Sequence, residues 1–175
     1  MNEATTREGI ELDVWRALSD VHDPEIPTIS ITDLGIVERI EISDREVDVQ
    51  ILPTFAGCPA LDVIREDAER VVRTVAGDRS VRVRFVYSPP WTSDRITPAG
   101  REALRSYGIT PPGPGAPFVP LAALTRVEGT VPCPFCGSDD TVLESAFGPT
   151  LCRSTHFCRA CRNPFEGFKP KRPSG

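Results

Sequence analysis

The sequence lacks the features of a membrane-spanning or exported protein. No run of about 18 apolar residues occurs, so no membrane-spanning helix is predicted. The opening stretch MNEATTREGIELD is polar and acidic and has no apolar core of a signal peptide. We therefore expect a cytoplasmic protein. In that reducing compartment, clustered cysteines more often bind metal or react than form disulfides.

The first two thirds of the chain lack an excess of positive charge, because acidic residues outnumber basic ones there. Residues 1–120 contain 13 Lys and Arg against 20 Asp and Glu, whereas residues 121–175 contain 7 against 5. Because a surface that contacts phosphates must be basic, we expect no nucleic-acid partner for the main body. The small positive surplus of the second part favours a docking or structural role over base reading.

Apolar periodicity predicts an α+β domain with the element order α-β-β-α-β. Alternating apolar residues predict strands near 36–42, 47–51 and 81–87, and the first two strands follow one another closely enough to form a hairpin. Helical periodicity covers residues 10–21 and 61–75. The second helix would be a right-handed crossover that makes the strands on either side of it parallel. The result is a small mixed three-stranded sheet with helices packed on it.

A proline-rich segment separates this domain from a cysteine-rich one. Thr97 and Pro98 predict the start of a short helix, and residues 111–120 then contain five prolines. Such a segment is typical of a stiff extended linker. We therefore predict a domain over residues 8–110, a linker over 111–120 and a metal-binding unit over 121–170.

Two Cys-x-x-Cys pairs predict a metal site in the second unit. Cys133 and Cys136 form the first pair, and Cys158 and Cys161 form the second, with 21 residues between the pairs. Two such turns complete a tetrahedral sulfur site of the kind that structural zinc prefers. An iron–sulfur cluster also takes four cysteines, so the spacing favours zinc but does not decide between zinc and a cluster.

Two further candidate ligands precede the second pair. Cys152 could be a packed small residue, a replacement zinc ligand or a ligand to a cluster. His156 is more often a packing or surface histidine than a ligand. Phe165 and Phe168 could dock a partner or close a miniature core, and we expect the core.

Cys58 stands apart from the other five cysteines, in the loop LPTFAGCPALDV. Gly57 permits a sharp turn, and Pro59 suits the first turn of a helix, so Cys58 is predicted at or near a helix N-cap. Backbone N–H groups and the helix dipole would stabilise a thiolate there. The alternative is a small buried cysteine that fills a gap.

Acidic residues in two loops could share a site with this thiol. Asp23 and Glu25 flank a proline, and Asp33 precedes the first strand. These carboxylates could help to hold iron, or they could be ordinary helix-end and turn residues. His22 is the nearby histidine, and it is in no clear pairing motif with Cys58, which argues against a thiol enzyme.

The motifs DPEIPTISITDLGIV and ILPTFAGCPALDVI resemble the iron–sulfur-assembly domain of the SufT-like family. With the ribbon CPFCGS…CRACRNPFEGFK, the chain from about residue 10 to 170 is similar to the D-subunit family of bacterial phenylacetyl-CoA epoxidase systems. The resemblance implies an accessory factor of aerobic phenylacetate breakdown that is not itself the oxygenase. It would assist iron–sulfur cluster or metal-centre assembly in the reductase or oxygenase subunits.

The same resemblance implies roles for individual residues. Cys58 would be the functional thiol and Asp33 the acid of the DLG turn, with Thr54 in the cysteine loop. The four paired cysteines would hold the ribbon metal, and Cys152 would occupy a further cysteine position. Because clusters typically take four thiolates, a homodimer, help from the ribbon or transient handling would be needed. A rival hypothesis is a structural adaptor that docks the epoxidase subunits, with Cys58 inert.

Overall fold

The computed structural model describes residues 3–55, 57–113 and 131–169. The predicted linker lies outside the described residues from 114 onward. The chain divides into two compact units. The first contains residues 3–53 and 59–90, and the second contains Thr54–Cys58, residues 91–113 and residues 131–169. Each unit has a sheet of its own.

The first unit is built on a mixed three-stranded sheet. Strand β4 lies in the centre, antiparallel to β3 and parallel to β5. This arrangement confirms the predicted mixed sheet and its parallel crossover pair. The elements in chain order are α1 (Glu3–Ser19), β1 (His22–Asp23), β2 (Ile26–Ser30), β3 (Val37–Ile42), β4 (Glu46–Ile51), α2 (Leu61–Arg73) and β5 (Ser80–Phe85).

The central strand forms the middle of the first unit's core. Val47, Val49 and Ile51 alternate with polar residues and are 0% exposed, as the period of two predicts. Helix α2 contributes one apolar stripe of Ile64, Ala68 and Val72. The core is therefore formed by side chains that the apolar pattern singles out.

A short hairpin of β1 and β2 is an addition to the predicted order of elements. Its two strands pair antiparallel, with His22 opposite Ser30 and Asp23 opposite Ile26. The carboxylate of Asp23 accepts a hydrogen bond from the Glu25 N–H at 2.8 Å, which closes the turn. In the sequence, the segment HDPEIP indicates only the end of the first helix.

The second unit is built on a four-stranded sheet in the order β6-β9-β8-β7. Strands β7, β8 and β9 are antiparallel neighbours, and β6 pairs parallel with β9. Helix α3 begins as predicted, because the Thr97 hydroxyl accepts a hydrogen bond from the Gly100 N–H at 3.0 Å. The elements are α3 (Pro98–Ser106), β6 (Ile109–Thr110), β7 (Thr141–Ser145), β8 (Arg153–Cys158) and β9 (Pro164–Phe168).

Residues 91–110 belong to this second unit, whereas the sequence places them in the first domain. Ile109 and Thr110 pair with Glu166 and Gly167, and the buried Trp91 ring lies 6.0 Å from the ring of Phe168. Two-residue strand pairing of this kind leaves no periodic signal in the sequence. No helix among the described residues is both long and apolar enough to cross a membrane.

Candidate metal centre and cysteine loop

Two turns place the four paired cysteines. After Cys133, the chain turns so that the Gly137 N–H donates to the Cys133 carbonyl at 2.9 Å. Gly137 has a φ of +72°, a conformation that glycine adopts without strain. The second turn follows β8, where the Cys158 N–H donates to the Asn163 carbonyl at 3.0 Å. Backbone hydrogen bonds therefore hold both turns in the conformation that groups the four cysteines.

The four sulfurs form one compact cluster. The Sγ atoms of Cys133, Cys136, Cys158 and Cys161 all lie within 4.8 Å of one another. Two pairs, Cys133 with Cys161 and Cys136 with Cys158, are 3.6 Å apart. A tetrahedral ion with metal–sulfur bonds of about 2.3 Å would set its sulfurs about 3.8 Å apart. The donor set thus fits a single tetrahedral ion, since a cluster of several irons would spread its thiolates further.

The pKa values of two of the four thiols, Cys136 and Cys161, are shifted in opposite directions. Burial raises the pKa of the Cys161 thiol. The hydrogen bond from the Asn163 N–H and the neighbouring thiols lower that pKa by a larger amount, so its net value is about 7. For Cys136, the Ser138 N–H lowers the pKa, whereas burial and the neighbouring thiols raise it to a net value of about 12. An ion that binds all four sulfurs must therefore displace protons, above all the one on Cys136.

His156 is a packing residue. Its ring is only 4% exposed and stacks on Phe165, with centroids 5.2 Å apart. Its Nε2 lies 2.9 Å from the Ser154 hydroxyl oxygen, and burial lowers the pKa of the imidazole. Among the described residues, the metal-binding cluster contains neither His156 nor Cys152.

Phe165 and Phe168 are both buried, which confirms the expected miniature core. Phe165 packs in a small cluster with Cys133 and Cys158, so that the metal centre and the apolar core are continuous.

Cys152 lies in a tight turn at the opposite end of β8 from the metal centre. Its Sγ is 3.1 Å from the Thr150 hydroxyl oxygen, and its carbonyl accepts a hydrogen bond from the Lys169 N–H at 2.8 Å. The Lys169 ammonium group donates to the neighbouring Leu151 carbonyl at 3.0 Å. No local pattern in the sequence indicates that Lys169 returns to this turn.

The Cys58 loop is placed with the second unit. Thr54 and Cys58 are half-buried, and the Cys58 N–H donates to the Phe55 carbonyl at 3.2 Å. Of the predicted positions at or near the N-cap of α2, the structure places Cys58 near the cap and not at it, because α2 begins at Leu61 and its N-cap is Ala60. Cys58 therefore precedes the cap by two residues.

The acidic candidates belong to the first unit, where hydrogen bonds give them turn roles. The Ser30 hydroxyl donates to the Asp33 carboxylate at 3.0 Å, and the Asp33 N–H donates to the same hydroxyl oxygen at 3.0 Å. Asp23 closes the β1–β2 hairpin through the Glu25 N–H. A functional role for Asp33, Asp23, Glu25 or Thr54 stays a prediction.

Two protein-family models match the chain in succession. Residues 11–85 match the family described as iron–sulfur cluster assembly protein, and residues 119–169 match the PaaD zinc beta ribbon domain. The first match contains the Cys58 loop, and the second contains the four-cysteine centre. The order of the two agrees with the predicted order of the two parts.

Two relatives align with this chain over most of their own lengths. A protein of Escherichia coli (strain K12), provisionally named as the D subunit of 1,2-phenylacetyl-CoA epoxidase, is 39% identical over 157 residues, which are 90% of this chain and 91% of that protein. An Fe-S protein maturation auxiliary factor of Porphyromonas gingivalis is 35% identical over 100 residues, covering 57% of this chain and 91% of the other.

A solved structure supports the fold. The crystal structure of a domain of unknown function, DUF59, from Bacillus anthracis aligns with a TM-score of 0.54 and 27% identity. The alignment covers 58% of this chain and 97% of that domain.

Proposed function

The chain belongs to the family of the phenylacetyl-CoA epoxidase D subunits, and from that premise we propose that it assists iron–sulfur cluster assembly in a partner subunit of such an epoxidase. Its relatives include proteins named as maturation factors, which supports an accessory role. In this proposal the chain delivers or stabilises a cluster and does not catalyse the epoxidation.

The observation that carries the proposal is the separation of Cys58 from the metal centre. Cys58 lies within the segment that matches the iron–sulfur-assembly family, and it is not among the four clustered sulfurs. It is half-buried, next to an exposed glycine. A thiol at such a surface loop can reach both a cluster and an incoming protein.

The four-cysteine centre has a structural task in this proposal. We assign zinc to it, because four thiolates at tetrahedral spacing are the donor set of structural zinc sites. Bound there, zinc would supply folding free energy to the ribbon around it, where the buried apolar cluster at the metal centre is small. The ribbon cysteines would hold the ion throughout and would not exchange it with the partner.

The proposed recipient is the reductase subunit, since thiolate ligation of iron is the chemistry that Cys58 offers. The alternative recipient is the oxygenase subunit, whose metal centre the chain could help to assemble. A second copy of this chain, or the recipient itself, would contribute the remaining ligands. Static light scattering of the iron-loaded and iron-free forms would distinguish a shared site in a dimer from a site on a monomer.

A structural adaptor is the second candidate function. It is favoured by large exposed apolar residues in the second unit, since Phe135 is 56% exposed and Phe147 is 64% exposed. In that case the ribbon docks the epoxidase subunits and Cys58 takes no part.

Co-production with the epoxidase subunits tests the proposal and separates it from the adaptor. Cells would produce the reductase and oxygenase with the wild-type chain, with Cys58→Ser or with a control variant, Ser106→Ala, on the exposed side of α3. We expect Cys58→Ser to reduce iron and acid-labile sulfide in the purified reductase, with a parallel loss of epoxidase activity. Unchanged cluster content with Cys58→Ser, in the presence of a correctly folded variant, would support the adaptor instead.

A further inference from the structure

The loop that contains Cys58 lies against the turn that contains Cys152. The segment Thr54–Cys58 belongs to the second unit, although strand β4 before this segment and helix α2 after it belong to the first unit. A Cβ at Gly57 would lie 3.8 Å from the Cδ1 of Leu151, which is an ordinary van der Waals contact. Each of these two residues is followed directly by a cysteine, so the fold brings into proximity the two segments that carry Cys58 and Cys152, which are 94 positions apart in the sequence.

The Cys152 turn is held in place from several sides. The Gly148 N–H donates to the Arg153 carbonyl at 2.9 Å, and a Cβ at Gly148 would lie 2.9 Å from the Arg153 carbonyl carbon. The Arg153 guanidinium donates to the Thr150 hydroxyl oxygen at 2.8 Å and pairs with Glu166 at 2.8 Å. A ligand at this turn would therefore meet a preformed backbone.

A cation is fixed beside the same turn. The Lys169 ammonium group donates to the Leu151 carbonyl and lies 5.4 Å from the centre of the Phe147 ring. Burial lowers the pKa of Lys169, and the charge of Cys152 opposes that shift by raising it. A neighbouring ammonium group stabilises a thiolate, and the thiolate is the form that binds soft metals.

We propose that Cys58 and Cys152 form a two-thiol site, distinct from the four-cysteine centre, that holds one edge of an iron–sulfur cluster in transit. This inference rests on the proposed function for the identity of its cargo. It assigns Cys152 to the cargo site and not to the ribbon metal. The chain then supplies two of the four thiolates that a cluster takes, and the recipient or a second copy supplies the others.

The pairing of the two thiols can be tested without iron. Phenylarsine oxide condenses with two neighbouring thiols, forming two arsenic–sulfur bonds and releasing one water, with no change in oxidation state. Zinc-loaded, reduced, full-length protein would be titrated anaerobically, and the bound arsenic and retained zinc would be counted by native mass spectrometry. We expect one arsenical on the wild-type chain with zinc retained, and none on Cys58→Ser or Cys152→Ser.

The outcomes separate this inference from the proposed function. Arsenical binding that persists in either serine variant, or that occurs only with loss of zinc, overturns the two-thiol site. Zinc content equal to that of the wild type shows that the metal-binding ribbon of each variant is folded. Reconstitution with ferrous iron and sulfide is the second arm, and we expect at least a tenfold loss of bound iron in both variants. Iron retained by Cys152→Ser but lost from Cys58→Ser overturns the pairing and leaves the proposed function standing. Arsenical binding without any iron uptake supports the pairing and rejects the proposed cargo.

Discussion

Removing the metal from the four-cysteine centre should unfold the sheet of β7, β8 and β9. The buried cluster around the centre consists of Cys133, Cys158 and Phe165, with Val131 and Cys161 partly buried against it. Burying one phenylalanine side chain contributes about 1.5–3 kcal/mol. Structural zinc contributes about 10–16 kcal/mol in zinc-finger peptides at pH 7. At 1.4 kcal/mol per factor of ten, the lower figure is roughly seven powers of ten in the folding equilibrium.

Hydrogen exchange measured by mass spectrometry would show where the protein opens. After chelation, peptides from residues 141–168 should lose their protection against exchange, because these strands are adjacent to the centre. Peptides from β4, whose apolar side chains are fully buried in the first unit's core, should keep theirs. Zinc-loaded protein is the reference state. Continued protection of residues 153–158 in protein shown by mass to be metal-free would refute the argument that the ion stabilises this sheet.

Three further predictions address the core, the packing and the protonation of the thiols. Ile51→Ala should lower the free energy of unfolding by about 2–5 kcal/mol, because Ile51 is 0% exposed. The control Val63→Ala, at a 46% exposed position, should change it by less than about 0.5 kcal/mol. Equal effects of the two substitutions in urea denaturation would contradict the described core. Gly167→Ala should destabilise the second unit in a thermal melt, because the new Cβ would lie 2.9 Å from the His156 Nε2, whereas Gly113→Ala meets nothing within 4 Å and serves as its control. Zinc affinity, measured by competition with a chromogenic chelator, should rise with pH. Zinc displaces a proton from Cys136, whose pKa is about 12, and below about pH 7 it also displaces one from Cys161. An affinity independent of pH would show that the thiols are already ionised.

Periodic and spacing signals predict the parts of the fold that depend on them. The alternation in β4 and the apolar stripe of α2 identify the first core, and the Cys-x-x-Cys spacing identifies the metal centre. These features are local, so each stretch of sequence carries its own signal.

Features that depend on distant contacts leave no such signal. Strand β1 has two residues, and β6 has two, which is too short for any period to show. The apolar periodicity predicts the start of α2 at Leu61, where the helix begins, but the placement of Pro59 in its first turn is two residues too early. The contact of Gly57 with Leu151 joins segments far apart in sequence, and nothing within either loop signals it.

The most direct test of the central claim is the metal and acid-labile sulfide content of the chain purified without oxygen. Wild-type, Cys58→Ser and Cys158→Ser proteins would be compared in one preparation. We predict that zinc, one per chain, is lost only from Cys158→Ser, and that iron and sulfide are lost from Cys58→Ser. Iron and sulfide that stay with Cys58→Ser but disappear with Cys158→Ser would contradict it, because the cluster would then occupy the four-cysteine centre.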